Sequence, residues 1–204
     1  YGLTVKELLM EQLSIKTANI KLVNDAGCFL RGEVFGGAAR NASSAIGLTL
    51  GTGLGAATLS DGVAKDADLW HVPFKDGIAE EYLSTRAVIQ AYKKMTGKLV
   101  ADVKQLSSLS LNDTAAKEVF FAFGEDLALF LAPYLQEMEP EVVIVGGNIA
   151  NAWELFIPTT VSVLSKIGLD VPIRKAVLAE DAALIGAASY WHDTLTEVGP
   201  VHKL

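Results

Sequence analysis

A second cysteine is missing from this chain, and with it any internal disulfide: Cys28 stands alone among 204 residues, a usage that fits a reducing compartment. An excess of basic charge is missing too. Seventeen Lys and Arg face twenty-four Asp and Glu, for a formal net charge of −7. The cations are scattered, so no nucleic-acid surface is expected from this portion. No apolar run reaches the length of a membrane span, and the amino terminus carries no charged segment followed by an apolar core. The cytoplasm is therefore the default expectation. Low-complexity tracts and internal repeats are also absent. What remains is an ordinary globular composition, 50% apolar and 20% charged, long enough for one large domain or one and a half smaller ones.

The densest signal lies between Ser44 and Gly62. Ile46, Leu48 and Leu50 alternate with small residues, Gly51-Thr52-Gly53-Leu54-Gly55 turns the chain, and Ala56 to Leu59 can run back. This predicts a β-hairpin whose tip is the size of a phosphate. Glycines let backbone N–H groups approach an anion, and Thr52 adds a hydroxyl donor. A plain tight hairpin would read the same way, so other features must carry the functional argument.

Thr4 can cap a short helix to Gln12, with Glu7 at capping-box spacing. Asn19 to Val23 reads as a buried strand. It ends at Asn24-Asp25, before a helix toward Ala39. An acid at that junction suits both an N-terminal cap and a reactive group at a cleft edge. Val63-Ala64 can form a third short strand, and Pro73 places Asp68 to Phe74 at a sheet edge or in a loop. Helical spacing runs from Ile78 to about Met95, from Val100 to Ser107 and from Asp113 to about Met138. Val142 to Val145 is the clearest buried strand, and Gly146-Gly147-Asn148 turns it into a helix from Ile149 to Ile167. That arrangement is common beside nucleotides, although the chain has neither a P-loop lysine nor a full GxGxxG. A strand from Val171 to Leu178 and a small-residue helix from Ala182 to Asp193 follow, with Glu180-Asp181 at its cap and a short polar tail after Glu197.

In order, the segments NDA (Asn24 to Ala26), LTLGTGLG (Leu48 to Gly55), DLWH (Asp68 to His71), AEEY (Ala79 to Tyr82), VIVGGN (Val143 to Asn148) and EDAALIGAA (Glu180 to Ala188) resemble the ROK family of repressors, open reading frames and sugar kinases. The resemblance implies an α/β fold of the ribonuclease-H-like type, shared with actin-like and hexokinase-like ATPases, in which a mixed central sheet carries helices on both faces. It implies a glucokinase-like, ATP-dependent phosphorylation of a hexose or related sugar, acetylated aminosugars included, with Mg²⁺. On the matching positions, Asp25 would be the general base and Asn24 would hold a neighbouring hydroxyl. Asp68, His71 and Glu80 would bind sugar hydroxyls. Gly51, Thr52, Gly53 and Gly55 would receive the β- and γ-phosphates, and Gly146, Gly147 and Asn148 would lie beside the adenosine and α-phosphate. A homodimer is implied as well.

The sequence departs from the family pattern at four places. Asp68 stands where the family has glutamate, one methylene shorter, and Trp70 stands where it has glycine. Only Lys75-Asp76-Gly77 occupies the place of the cysteine-rich zinc loop, so no structural zinc is expected. The amino-terminal DxGxT phosphate motif has no match. The expected division is therefore a remnant of the small lobe over 1–44, a large ATPase-like domain over 45–180, and a closing helix and tail over 181–204. Such a piece is expected to be inactive on its own. A sugar-sensing regulator of the same family and a degenerate domain are the competing readings.

Overall fold

The computed structural model describes residues 4–196; the polar tail expected after Glu197 lies outside the described residues. The elements in chain order are α1 (Val5–Leu13), α2 (Asp25–Gly36), β1 (Ala45–Leu50), β2 (Leu54–Ser60), β3 (Val63–Asp66), β4 (Pro73–Phe74), β5 (Gly77–Ile78), α3 (Thr85–Thr96), α4 (Val103–Leu109), α5 (Thr114–Met138), β6 (Val142–Gly146), α6 (Trp153–Lys166), β7 (Ile173–Lys175) and α7 (Asp181–Thr196). The main sheet has the order β3-β2-β1-β6-β7. Its first three strands form an antiparallel meander, while β1, β6 and β7 run parallel. Helices cover both faces, and this is the mixed α/β arrangement expected.

Period-two alternation sorts the strands between two cores. Ile46, Leu48 and Leu50 of β1 and Val143 and Val145 of β6 enter one cluster, which is completed by Phe120, Leu127 and Leu131 of α5 and Phe156 of α6. Val142 and Ile144 enter the other, under Phe29 and Leu30 of α2 and Ala182 of α7. Each large side chain fully buried this way contributes about 1.5–3 kcal/mol. The layers fix the geometry that matters for a ligand: the carboxyl ends of β1 and β6 lie side by side, with Thr49 paired to Gly146.

The division drawn after residue 44 does not coincide with a packing boundary. A Cβ at Gly32 would meet the backbone of Ala182, and one at Gly186 would meet the backbone of Cys28. Thus α2 and α7 cross at backbone contact as one layer over the sheet. Cys28 is buried at that crossing, and desolvation, with the Asp25 carboxylate adding to it, pushes its thiol pKa up.

Four elements differ from their sequence reading. Asn19 to Val23 is no strand, because no neighbouring strand takes up its backbone groups. Only Ile20 is buried there, and Lys21 donates to the Tyr190 carbonyl (2.7 Å). The helix expected from Ile78 begins at Thr85 instead, since Ile78 pairs with Pro73, residues Ala79–Glu81 make a 3-10 turn, and Ser84 supplies the cap. Residues Asn148–Ala152 are likewise 3-10 before α6 begins. The strand near residue 171 is limited to β7, after which the chain turns to make the bonds of Glu33 considered in the Discussion.

Tyr92 ties α3 to α5 by donating to Asp113 Oδ2 (2.8 Å), and Asp113 in turn caps α5 by accepting from Ala115 N–H (2.9 Å) and Ala116 N–H (3.3 Å). The Tyr92 hydroxyl, followed by those amides, holds the Asp113 carboxyl below its usual range. A carboxyl depressed in the folded state adds stability above its unfolded pKa, and loses it as pH falls through the folded value. Tyr92→Phe is expected to lower the melting temperature at neutral pH, and the gap from wild type should narrow as pH falls through that window. A gap independent of pH in thermal scans would dissociate Tyr92 from Asp113.

Candidate active site

At the start of α2, Asn24 is the cap: its Oδ1 accepts from Ala26 N–H (2.8 Å) and Gly27 N–H (3.3 Å). Of the two roles open to Asp25 in the sequence, capping therefore falls to its neighbour. Asp25 occupies the first helical position and is exposed, with Oδ1 taking a bond from Ala26 N–H (2.9 Å). Its Oδ2 has no partner among the described residues. Both residues line a cleft of about 520 Å³ that is also lined by the hairpin tip, Gly51, Thr52, Gly53 and Gly55. The start of a helix and a glycine turn, distant in sequence, thus share one space.

Glu80 lines the same cleft. Leu54 N–H donates to Glu80 Oε2 (3.1 Å), and a Cβ at Gly53 would collide with that oxygen. The hairpin tip is also tied to the start of α3, since Thr85 N–H donates to the Gly51 carbonyl (2.8 Å). Arg86 stands 3.9 Å from Glu80 Oε1.

The structure does not bring Asp68 and His71 into the cleft lining. Asp68 takes a left-handed backbone conformation (φ 51°), accepts from Trp70 Nε1–H (2.8 Å) and lies 3.5 Å from His71 Nδ1. The two side chains are 64% and 52% exposed. Both contact Trp70, and it is Trp70 that lines the cleft. Thr49 and Asp66 also line it without having been singled out. Thr49 had a signal, being the hydroxyl in an otherwise apolar strand beside the turn. Asp66 had none beyond its place at a strand end.

Two further hollows lie near the cleft, one of them lined by Gly147. This glycine adopts φ +84°, and a Cβ there would meet the backbone of Leu50, so the parallel strand ends can touch only through it. One hollow, of about 350 Å³, shares Asp25, Thr49 and Gly147 with the cleft and continues past Gly146 and Asn148 to Lys175 and Glu180. The other, of about 610 Å³, lies between Asn148 and the start of α4, and is lined by Thr85, Asp102, Ser107 and Asn151. Thr85 Oγ1 is buried there without a hydrogen-bond partner among the described residues.

The geometry is that of a cleft at the carboxyl ends of parallel strands, where open α/β sheets hold ligands. The ROK family model matches residues 74–194. The chain belongs to the ROK family. Among its curated relatives in that family, the glucokinase of Thermotoga maritima is 30% identical over 89% of this chain and 68% of its own length. An N-acetyl-D-glucosamine kinase of Photobacterium profundum is 26% identical over 65% of this chain and 52% of its own length. The chain thus spans about two thirds of one ROK relative and about half of the other. A ROK glucokinase from Streptomyces griseus, solved with glucose and AMPPNP, superposes with a TM-score of 0.78 at 22% identity, covering 91% of this chain and 71% of that one. That likeness establishes the fold. Among the described residues no helix is long and apolar enough to cross a membrane.

Proposed function

We propose that the protein is an ATP-dependent sugar kinase, in which Asp25 takes the proton from a sugar hydroxyl as that oxygen attacks the γ-phosphate held by the glycine hairpin. One observation carries the reading: Asp25 and the hairpin tip line a single cleft large enough for a hexose. Phosphoryl transfer asks for in-line placement, a base at the acceptor and donors at the phosphate, and those three parts share this space. The Thermotoga glucokinase and the Photobacterium aminosugar kinase support the substrate class. Asn24 and Glu80 would hold sugar hydroxyls from the cleft walls, Trp70 would offer the ring a stacking face, and Asp68 and His71 would act at the rim.

The nucleoside end is assigned to the hollow between Asn148 and α4, because the Thr85 hydroxyl there lacks a partner and Ser107 and Asn151 add further polar groups. Mg²⁺ arrives on the phosphates and asks the protein for only one or two carboxylates. Asp66 lines the cleft and would supply one, leaving the Asp25 carboxylate free to act as the base. A sugar-sensing regulator needs the sugar pocket alone. A glycine hairpin that shares one cleft with Asp25 favours the kinase.

The test is sugar-dependent ADP release by the whole protein over a panel of hexoses and N-acetylated aminosugars; release that no sugar stimulates would sink the reading. Ser108→Trp, placed on the exposed rim of the nucleoside hollow, is expected to raise KM for ATP about tenfold or more, the loss of one good contact region, with KM for sugar unchanged. An unaltered KM for ATP would move the nucleoside to the hollow beside Lys175.

A further inference from the structure

Glu80 is placed to serve two ligands, and it cannot serve both in its present position. Its Oε2 holds Leu54 N–H (3.1 Å), the amide that ends the Gly51-Thr52-Gly53 tip. Backbone N–H groups of this tip are what a phosphate would bind. The carboxylate thus sits where a phosphate oxygen belongs, and it brings a negative charge with it. Nothing else ties it down strongly: its nearest cation, Arg86, is 3.9 Å from Oε1 on an exposed side chain. At the same time Glu80 faces the cleft that contains Asn24 and Asp25.

We propose that Glu80 is a sugar-responsive latch on the phosphate hairpin. The proposal rests on the sugar-kinase reading. Without sugar, the carboxylate occupies the Leu54 amide and its charge opposes a phosphate in the cradle. A sugar hydroxyl beside Asn24 donates to the carboxylate, draws it off the hairpin and leaves the amide for the phosphate. Nucleotide would then bind productively only once an acceptor is present, and loss of ATP to water would be held down. The absence of a side chain at Gly53 has its reason here, since a Cβ would displace the latch.

The experiment is calorimetric titration of AMPPNP into the protein with no sugar, comparing wild type with Glu80→Ala and Glu80→Gln. Both variants are expected to bind AMPPNP more tightly than wild type, the alanine about tenfold or more, as befits the release of one amide from a charged acceptor and removal of a like charge. Affinities equal to or weaker than wild type in both would overturn the latch. A readout on the unmutated protein covers the case in which the variants unfold. Saturating sugar alone should speed hydrogen exchange at the Leu54 amide while the Ala57 amide, paired with Gly47 in the β1–β2 ladder, keeps its protection; unchanged or stronger protection at Leu54 counts against the proposal. Should no sugar support ADP release, the kinase reading falls, and the sugar-free AMPPNP comparison still decides whether Glu80 competes with phosphate.

Discussion

Asp25→Asn should abolish most phosphoryl transfer in the whole protein, by about 10²–10⁴-fold, the usual contribution of a positioned general base. An amide cannot accept the hydroxyl proton in the transition state, although it fills nearly the same space. The fold should hardly notice. The cap of α2 belongs to Asn24, so the substitution removes only a favourable charge at the helix amino terminus, worth about 0.3–1 kcal/mol. Sugar and AMPPNP affinities should stay near those of wild type, because binding does not require the proton to move. Asp66→Asn is the comparison to run beside it, since Asp66 is the other aspartate lining the cleft. Its carboxylate already accepts from Asp68 N–H (3.0 Å), and its loss should weaken turnover less than that of Asp25. The measurement is sugar-dependent ADP release with thermal unfolding on each variant. Full turnover in Asp25→Asn, or a larger loss in Asp66→Asn, would transfer the base to another group.

Elements with strong internal periodicity were legible in the sequence. The hairpin of β1 and β2 was readable from alternation and its glycine tip, α5 from a long helical repeat, and β6 from four apolar residues before two glycines. Elements that depend on a distant partner were not. Asn19 to Val23 had a strand's composition and no strand to pair with, and Ile78 was taken by Pro73 into a two-residue ladder before any helix could start. The same division runs through the site. Asp25 and the hairpin could be named because each stands at a local junction. The outward position of Asp68 and His71 follows from the left-handed turn at Asp68 and the indole bond that Trp70 makes to it. Trp70 could be noticed as a departure, but its direction could not be read.

Glu33 is the clearest case of a determinant without a local signal, and it carries the largest expected effect on stability. It is fully buried near the end of α2 and gives all its acceptor capacity to backbone amides. Oε2 takes Ala38 N–H (2.7 Å), while Oε1 takes Leu178 N–H (2.9 Å) and Val177 N–H (3.1 Å). Gly37 leaves room for it, since a Cβ there would strike the carboxylate. The side chain therefore stitches the turn after α2 to the segment after β7, and that segment supplies Ala176, Ala179 and Glu180 to the hollow beside Gly147. In Glu33→Gln one oxygen becomes an NH₂ group facing a backbone N–H, so at least one buried donor loses its acceptor, at a cost of about 2 kcal/mol or more. For a chain of this size that is a fall of about 4–8 °C in melting temperature. Glu33→Ala orphans all three amides and leaves a cavity, so it should fall further still. Both substitutions slacken the wall of the hollow next to Gly147 and spare Asn24, Trp70 and Glu80. That hollow shares Asn148 and Asn151 with the one assigned to the nucleoside, so KM for ATP should rise while KM for sugar holds. Thermal scans and paired KM measurements check this together: a melting temperature within a degree of wild type for Glu33→Gln would mean the stitch bears no load, and equal rises in both KM values would mean that it supports the fold as a whole rather than the nucleotide side.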